Sequence, residues 1–243
     1  MLIIKNYSKS YKELCVLENL NIEIPRGELL GVIGSNGAGK TTLLNSIMSN
    51  IDFKGEILIN GIPNNEFIAE HRDEILFLPD NVFVYDFLTG MEFIKFTLDL
   101  NKIKFADVKE KVELFLKLFN LKNHSNRLIK EYSHGMKQKL ALISVLVQSP
   151  KILLLDEPVS GLDTLSLIAF KKLLSSMTKE GTTVIFTTHI LDLVEDLCDS
   201  IIVLNNKQVT RINKVKNMSK REIETRFLNI VNNQITKKIE NLD

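Results

Sequence analysis

The sequence predicts an α/β fold with a sheet core, an antiparallel β subdomain at the N-terminus and an inserted helical subdomain. Three observations indicate this fold. An apolar run of strand length, residues 29–33, leads into a glycine-rich loop and then into a segment with helical spacing. Residues 80–150 carry apolar side chains at helical spacing and little strand signal. Beyond residue 150, apolar strands alternate with helices, which favours a parallel sheet.

The N-terminal part is predicted to be rich in strands. Residues 2–33 form a set of short strands, and residues 20–24 alternate apolar and polar side chains with period two. Residues 53–61 form a further strand closed by an Asn-Gly pair, which is a strong hairpin signal. Residues 75–78 are a short buried strand that ends at a proline.

The rest of the chain is predicted as helices followed by alternating elements. Helical spacing covers residues 89–100 and 105–119, and a helix over 135–148 ends before a Ser-Pro pair. The later strands, helices and hairpin are predicted at 152–155, 165–177, 182–187, 190–197, 200–212 and 219–232. We therefore expect one domain with three parts. They are an α/β core with its β subdomain (1–79 and 151–212), a helical subdomain (80–150) and a C-terminal tail (213–243).

The composition is that of a globular chain with no global bias. Of the 243 residues, 44% are hydrophobic and 25% are charged, and the net charge of +1 gives no reason to expect nucleic acid as a partner. The two cysteines lack metal-site spacing. No apolar run approaches the length of a membrane span, so we expect the chain not to cross a membrane by itself. The tail is basic, which fits a solvated segment or contact with an anionic surface.

Residues 34–41 match the pattern G-x-x-x-x-G-K-[ST] of a phosphate-binding loop in a P-loop NTPase sheet core. The glycines let consecutive N–H groups point at phosphate oxygens, and the following helix adds its dipole. Lys40 can neutralise phosphate charge, and the hydroxyl of Thr41 can bind Mg²⁺. The alternative is a glycine-rich turn with a surface lysine. The candidate nucleotide-binding residues here are Gly34, Ser35, Asn36, Gly37, Ala38, Gly39, Lys40, Thr41 and Thr42.

Polar side chains follow two of the predicted buried strands. Asp156 and Glu157 come directly after one of them, and His189 follows another. Ligands of parallel α/β sheets lie at the carboxyl ends of the strands. Asp156 is therefore a candidate Mg²⁺ ligand, Glu157 a candidate base for an attacking water, and His189 a candidate γ-phosphate contact. The alternatives are a polar strand end for the carboxylates and an ordinary surface or core histidine.

Ser133 begins a predicted helix as a natural N-cap. A helix N-terminus is also an anion site. Lys137 and Lys139 lie in the first turns of this helix, where acidic residues are usually preferred, and this choice mildly supports an anionic ligand.

In order and spacing, these motifs resemble an ATP-binding cassette (ABC) ATPase along nearly the whole chain. The matching segments are the Walker A loop at 34–41, the signature at 132–136, the Walker B strand and glutamate at 152–158, the D-loop at 160–163 and the switch histidine at 189. The resemblance implies ATP and Mg²⁺ as ligands. Tyr11 lies where the family carries an aromatic that stacks on adenine, and Tyr7 is the near alternative. A core tyrosine at a strand end would explain either residue.

The resemblance also implies a dimer. In the family, two cassettes pack head to tail around two ATP molecules, and the signature of one faces Walker A of the other. Ser133 and the N–H of Gly135 would then bind the γ-phosphate held by a second cassette, which is an identical chain or a close paralogue.

The sequence departs from the family pattern at three positions. Asp80 stands where a glutamine is usual; a carboxylate can still reach Mg²⁺, but it adds negative charge and donates no hydrogen bond. His134 and Met136 replace a glycine and a glutamine of the signature, while Ser133 and Gly135 are kept. We expect hydrolysis to survive.

The resemblance favours the ATPase subunit of a membrane transporter that works with a separate integral-membrane permease at the cytoplasmic face of the membrane. The signature variant at 133–138 resembles those of exporters of drug, peptide or immunity type. Aromatic residues in the segment 81–88 would receive the permease, or would simply fill the core. The alternative function is a soluble single-cassette ATPase that acts on a non-membrane assembly. A GTPase fits poorly, because Asn206-Lys207 lacks the aspartate that reads guanine.

Overall fold

The structure, a computed structural model of the chain, describes residues 1–240 and gives side chains for residues 1–231. The end of the predicted tail, residues 241–243, lies outside the described residues. The strands are β1 Leu2–Tyr11, β2 Leu14–Ile24, β3 Leu29–Gly34, β4 Lys54–Ile59, β5 Ile62–Pro63, β6 Ile75–Leu78, β7 Ile152–Leu155, β8 Thr183–Thr188, β9 Ser200–Asn205 and β10 Gln208–Asn213. The helices are α1 Lys40–Ile47, α2 Asn64–Glu70, α3 Gly90–Leu100, α4 Phe105–Leu118, α5 His134–Leu146, α6 Thr164–Lys179, α7 Leu191–Leu197 and α8 Lys220–Glu240.

The strands form an antiparallel sheet, in the order β2-β1-β4-β5, and a six-stranded sheet, in the order β10-β9-β3-β8-β7-β6. In the six-stranded sheet all neighbours are parallel except β10, which pairs antiparallel with β9. β3, β7 and β8 are buried along their whole length, as expected for parallel strands covered on both faces. Their carboxyl ends therefore lie side by side.

The parallel sheet separates two apolar clusters. Because side chains alternate along a strand, Leu29 and Ile33 of β3 face one cluster while Leu30 and Val32 face the other. The first cluster contains the apolar faces of α3–α6, and the second contains α1 and the antiparallel sheet. Fully burying a side chain of this size contributes about 1.5–3 kcal/mol, so both faces hold β3 in place.

The strand predictions for residues 2–33 were wrong in length. β1 and β2 are long strands of 10 and 11 residues, and their pairing contains several register shifts. Asn6 and Asn19 have positive φ values of 48° and 50° within these strands. Such bulges interrupt the alternation of apolar and polar residues, so the sequence suggests several short strands. The helix α2 was also missed, because seven residues give too little periodicity to recognise.

The hairpin signal at Asn60-Gly61 is confirmed. These two residues connect the paired Ile59 and Ile62, and their φ values are 53° and 85°. A two-residue turn with both central φ values positive matches the twist of the strands it joins.

The helical segment lies between β6 and β7 in the chain and supplies α3, α4 and α5. Thr89 begins α3 with a capping box, in which its side chain and that of Glu92 satisfy each other's backbone N–H groups. α5 packs against α3, α4 and β6. This packing fixes the N-terminal end of α5 relative to the sheet.

Candidate functional site

The glycine-rich loop lies at the carboxyl end of β3, between Gly34 and α1. A Cβ atom on Gly34 would lie 2.7 Å from the carbonyl oxygen of Leu204 and 2.9 Å from Cβ of Ala38. Gly39 precedes α1 with φ of 98° and gives its first turn no side-chain cap. The loop can close tightly only with glycine at these two positions. The N–H of Ala38 donates to the carbonyl oxygen of Ser35 over 3.1 Å, so the other N–H groups of the loop are the candidates for a ligand.

Lys40 is held inside this loop. Its side chain is 7% exposed, and its Nζ donates to the carbonyl oxygen of Gly34 over 2.8 Å. The same Nζ lies 3.5 Å from Oε1 of Glu157. The ammonium group is therefore already directed into the loop, and it connects the loop to the end of β7.

Both carboxylate oxygens of Asp156 accept a hydrogen bond from a threonine hydroxyl. Asp156 is 1% exposed at the end of β7. The hydroxyl of Thr41 donates to its Oδ2 over 2.6 Å, and the hydroxyl of Thr187 donates to its Oδ1 over 2.5 Å. A hydroxyl and a carboxylate in contact supply the hard oxygen donors that Mg²⁺ prefers.

Glu157 and His189 meet next to Asp156. Oε2 of Glu157 lies 3.0 Å from Nδ1 of His189, a largely exposed side chain at the end of β8. The backbone N–H of Glu157 donates to the hydroxyl of Thr187 over 3.0 Å. Glu157 has a φ of 46°, which lies in the left-handed region that few non-glycine residues adopt. A strained backbone held by a neighbouring strand is typical of functional positions.

Thr187 was missed by the sequence reasoning, although it joins the two carboxylate residues. Its signal is a buried polar residue at the carboxyl end of the apolar strand β8. We predict that Thr187→Val, which keeps the shape but removes the hydroxyl, lowers the ATP turnover that the resemblance implies about ten- to hundredfold, because the lost hydrogen bond is to a charged group. Steady-state phosphate release checks this.

Thr187→Ser, which retains the hydroxyl, is the matched control and should keep most of the activity. Equal turnover in the valine and serine variants would show that the hydroxyl does not position Asp156 or Glu157.

A cavity of about 270 Å³ brings most of the predicted residues together. Its lining is Val16, Ser35, Asn36, Gly37, Gly39, Lys40, Thr41, Thr42, Asp80 and Glu157. Val16 was not anticipated, and Tyr11 is not among the lining residues. Tyr11 lies at the end of β1 with 47% exposure, and Nζ of Lys9 lies 4.8 Å from the centre of its ring. The alternative, Tyr7, is wrong: its ring is fully buried and its hydroxyl pairs with Ser46.

Asp80 faces the same carboxylates. Partial burial raises the pKa of its side chain, and the negative charges of Asp156 and Glu157 raise the pKa further, while His134 opposes the shift. Asp80 lines the same cavity as Thr41 and Glu157, and a bound cation would relieve the repulsion between its carboxylate and those of Asp156 and Glu157. Among the side chains that the structure describes, no group of three or more His, Cys, Asp or Glu residues is assembled into a metal site.

Ser133 and Gly135 are placed elsewhere. Ser133 caps α5 by accepting the N–H of Met136, and it is exposed outside the cavity that holds Lys40. Within one chain the structure therefore does not bring Ser133 to the phosphate loop.

The two lysines of α5 do not support an anion site. Lys137 pairs with Asp86 at 2.6 Å, and Lys139 pairs with Asp163. Their charges are balanced by carboxylates of the same chain, and the expectation of an anionic ligand at the start of α5 stays a prediction.

A family model described as ABC transporter matches residues 17–160, which is more than half of the chain. The chain belongs to the ABC transporter family. The ABC transporter ATP-binding protein NatA of Bacillus subtilis is 30% identical over 207 residues, which are 84% of each protein. The predicted family is thereby confirmed.

Solved structures of ABC cassettes have the same fold. An ATP-binding subunit of an ABC transporter superposes with a TM-score of 0.84 at 26% identity, over 94% of this chain and 99% of the other. A dimeric ATP-binding cassette in a post-hydrolysis state with ADP and Pi gives a TM-score of 0.75 at 27% identity, over 88% and 98%. The predicted fold class is confirmed.

This ABC protein is therefore an ATPase and the ATP-binding subunit of a transporter. Such subunits pair with membrane permeases and dimerise. Within residues 1–240, no helix has the length and apolarity to cross a membrane.

Proposed function

We propose that this subunit powers an exporter by closing an ATP-dependent dimer and reopening it after hydrolysis. The observation that carries the proposal is the separation of Ser133 from the cavity that holds Lys40 and Glu157. A γ-phosphate in that cavity contacts the loop, but a single chain leaves its outer face open. The exposed N-terminus of α5 on a second chain can cover it.

The chemistry follows from the side chains around the cavity. The N–H groups of the loop and Lys40 bind the phosphates, and Glu157 orients and deprotonates the attacking water. His189 lies 3.0 Å from Glu157 and holds that carboxylate toward the γ-phosphate. Thr41, Asp156 and Asp80 are the residues that would hold Mg²⁺, which supplies charge neutralisation on the phosphates.

Tyr11 is proposed to approach the adenine from the end of β1, where its ring is half-exposed. Val16 lies closer to the loop and would contact the ribose or the base edge. Both come from the antiparallel sheet, so the base would sit between the two sheets' edges.

ATP acts as an adhesive between two chains in this scheme. The triphosphate contacts both subunits only in the closed dimer, so binding shifts the equilibrium toward closure. Loss of the γ-phosphate removes the contact with Ser133 and Gly135 and favours opening. The second cassette is an identical chain or a close paralogue.

The permease is proposed to dock on the segment between β6 and α3. Phe83 and Phe87 are 92% and 87% exposed, and Tyr85 is 56% exposed. The alternative, that these aromatics fill the core, is wrong. Exposed aromatic side chains of this kind are typical of a site that is covered by a partner. An open groove of about 810 Å³ runs between α2 and α3, and its lining combines apolar residues such as Ile68 and Leu100 with polar ones such as Asn65.

This docking would hold the subunit at the cytoplasmic face of the membrane. The proposal of export, with substrates of drug, peptide or immunity type, is supported by the signature variant at residues 133–138. ATP-driven accumulation of substrate in inside-out membrane vesicles would support export, and ATP-driven loss from them would contradict it.

The permease is tested by purifying the tagged chain from detergent-solubilised membranes. We predict an integral-membrane partner that is retained by the wild-type chain and lost from the double variant Phe83→Ser/Phe87→Ser, because two exposed aromatic anchors are removed. Mass spectrometry of the bound fraction identifies the partner.

Leu114→Ser on α4, which is 52% exposed, is the matched control for loss of apolar surface elsewhere and should keep the partner. If only partners without membrane spans are recovered, the alternative of a soluble cassette that acts on a non-membrane assembly replaces the transporter proposal.

A further inference from the structure

Lys139 is a largely buried lysine of α5 that pairs with a carboxylate outside its own helix. Its side chain is 11% exposed in the second turn of α5, and its ammonium group pairs with Asp163, the residue that caps α6. The Lys139 ammonium and the N–H of Ser166 hold the pKa of Asp163 at about 2, well below its usual range. Burying a lysine is unfavourable unless its charge is paired, so Asp163 accounts for this position of Lys139.

A second contact joins the same two segments. A Cβ atom on Gly135 would lie 2.8 Å from the carbonyl oxygen of Gly161, and Gly161 has φ of 78°. The first turn of α5 therefore packs backbone against backbone on the loop that leads to Asp163.

That loop begins at Glu157. The N–H of Ser160 donates to the carbonyl oxygen of Glu157 over 3.2 Å, and the N–H of Leu162 donates to that of Val159 over 3.1 Å. Two consecutive turns thus lie between Glu157 and Asp163. The segment 157–163 contacts the first two turns of α5 at two points, the close approach of Gly135 to Gly161 and the ion pair of Lys139 with Asp163.

We propose that Lys139 is a positioning residue that sets the distance between Glu157 and Ser133. The inference rests on the proposed dimer, in which each chain gives Glu157 to its own site and Ser133 to the site of its partner. The ion pair therefore connects the two ATP sites through each subunit. Without it, the segment 157–163 can shift, and Glu157 and Ser133 cannot both reach their phosphates.

The test compares Lys139→Met with Lys139→Arg and Asp163→Asn. Methionine fills the space without charge, arginine keeps the charge, and asparagine keeps the cap of α6 but loses the carboxylate. We expect kcat to fall about ten- to hundredfold in Lys139→Met and Asp163→Asn, because displacement of reacting groups by about 1 Å has effects of that size. Arginine should restore most of the loss, and the double variant should be no worse than either single variant.

A merely structural role would give a different result. The carboxylate of Asp163 is half-exposed, so removing Lys139 leaves it solvated, and the melting temperature of Lys139→Met should stay close to that of the wild type. Lys151→Met is the control and should have a normal kcat. It removes an ion pair with Glu74, and both residues directly precede their strands, at the end of β6 and β7 that lies away from the cavity. A loss of kcat that tracks a lower melting temperature would overturn the inference.

Dimer formation separates failure of this inference from failure of the proposed function. In the Glu157→Gln background, ATP should produce a dimer, and adding Lys139→Met should raise the ATP concentration needed about tenfold while the affinity of the isolated chain for ATP is unchanged. If Glu157→Gln gives no dimer, the proposed function fails. If the dimer forms equally well with and without Lys139, the positioning role is refuted.

Discussion

Replacing Glu157 with glutamine is expected to abolish ATP turnover and to leave ATP bound between two chains. Glutamine keeps the size of the side chain but cannot take a proton from water, and a positioned base contributes about 10²–10⁴ in rate. Lys40 and the loop N–H groups are unchanged, so the phosphates are still held. ATP that cannot be cleaved keeps the contact between both subunits.

Phosphate release and size-exclusion chromatography with ATP and Mg²⁺ measure the two effects. Glu180→Gln, at the exposed end of α6, makes the same chemical change away from the cavity. This control should hydrolyse ATP at the normal rate, and its dimer should dissociate after hydrolysis. Normal turnover in Glu157→Gln would show that Glu157 is not the catalytic base. His189, which lies 3.0 Å from Glu157, would then be the next candidate for that role.

The sequence located the candidate phosphate loop because that loop is built from consecutive residues. Gly34, Gly39 and Lys40 lie in one loop, and their spacing alone determines how the backbone turns and where the ammonium group points. Asp156 and His189 were placed correctly at one edge by a general rule, since parallel strands end at the same edge of a sheet.

The sequence could not reveal the contacts between distant segments. From the sequence alone, Thr187 is an ordinary strand residue. Its contact with Asp156 follows only from the pairing of β7 with β8, which brings the hydroxyl within hydrogen-bond distance of the carboxylate. Lys139 reads as a helix-start cation until Asp163, 24 positions away, is seen to neutralise it. In both cases the identity of the partner depends on tertiary packing, which no local spacing encodes.

Exposure was the other property that local spacing left open. Aromatics such as Phe83 and Phe87 are compatible with a core or with a surface, because burial depends on what packs over the segment between β6 and α3. Three register shifts in the pairing of the long strand β1 with β2 had the same effect, because they interrupt the alternation of apolar and polar residues, which then no longer marks one face.

Replacing Lys40 with methionine is expected to remove ATP binding itself. The ammonium group is 7% exposed and already faces the loop, so little reorganisation is needed when it meets phosphate. Charge-assisted hydrogen bonds contribute about 1.5–3 kcal/mol each, and loss of one or two weakens the affinity for ATP by a factor of about 10 to about 10⁴. Methionine keeps the apolar stem packed, so the fold should be retained. Titration of a fluorescent ATP analogue measures the change.

Lys40→Met and Glu157→Gln are expected to differ in ATP-dependent dimer formation. Lys40→Met should form no ATP-dependent dimer, whereas Glu157→Gln should form a lasting one, because dimerisation requires a bound triphosphate and not its cleavage. Combining Lys40→Met with Glu157→Gln should therefore abolish the trapped dimer. A dimer that persisted in the combined variant would mean that the chains associate without ATP, and the closing step would then need another cause. Unchanged affinity for ATP in Lys40→Met would place the nucleotide outside the loop at residues 34–41.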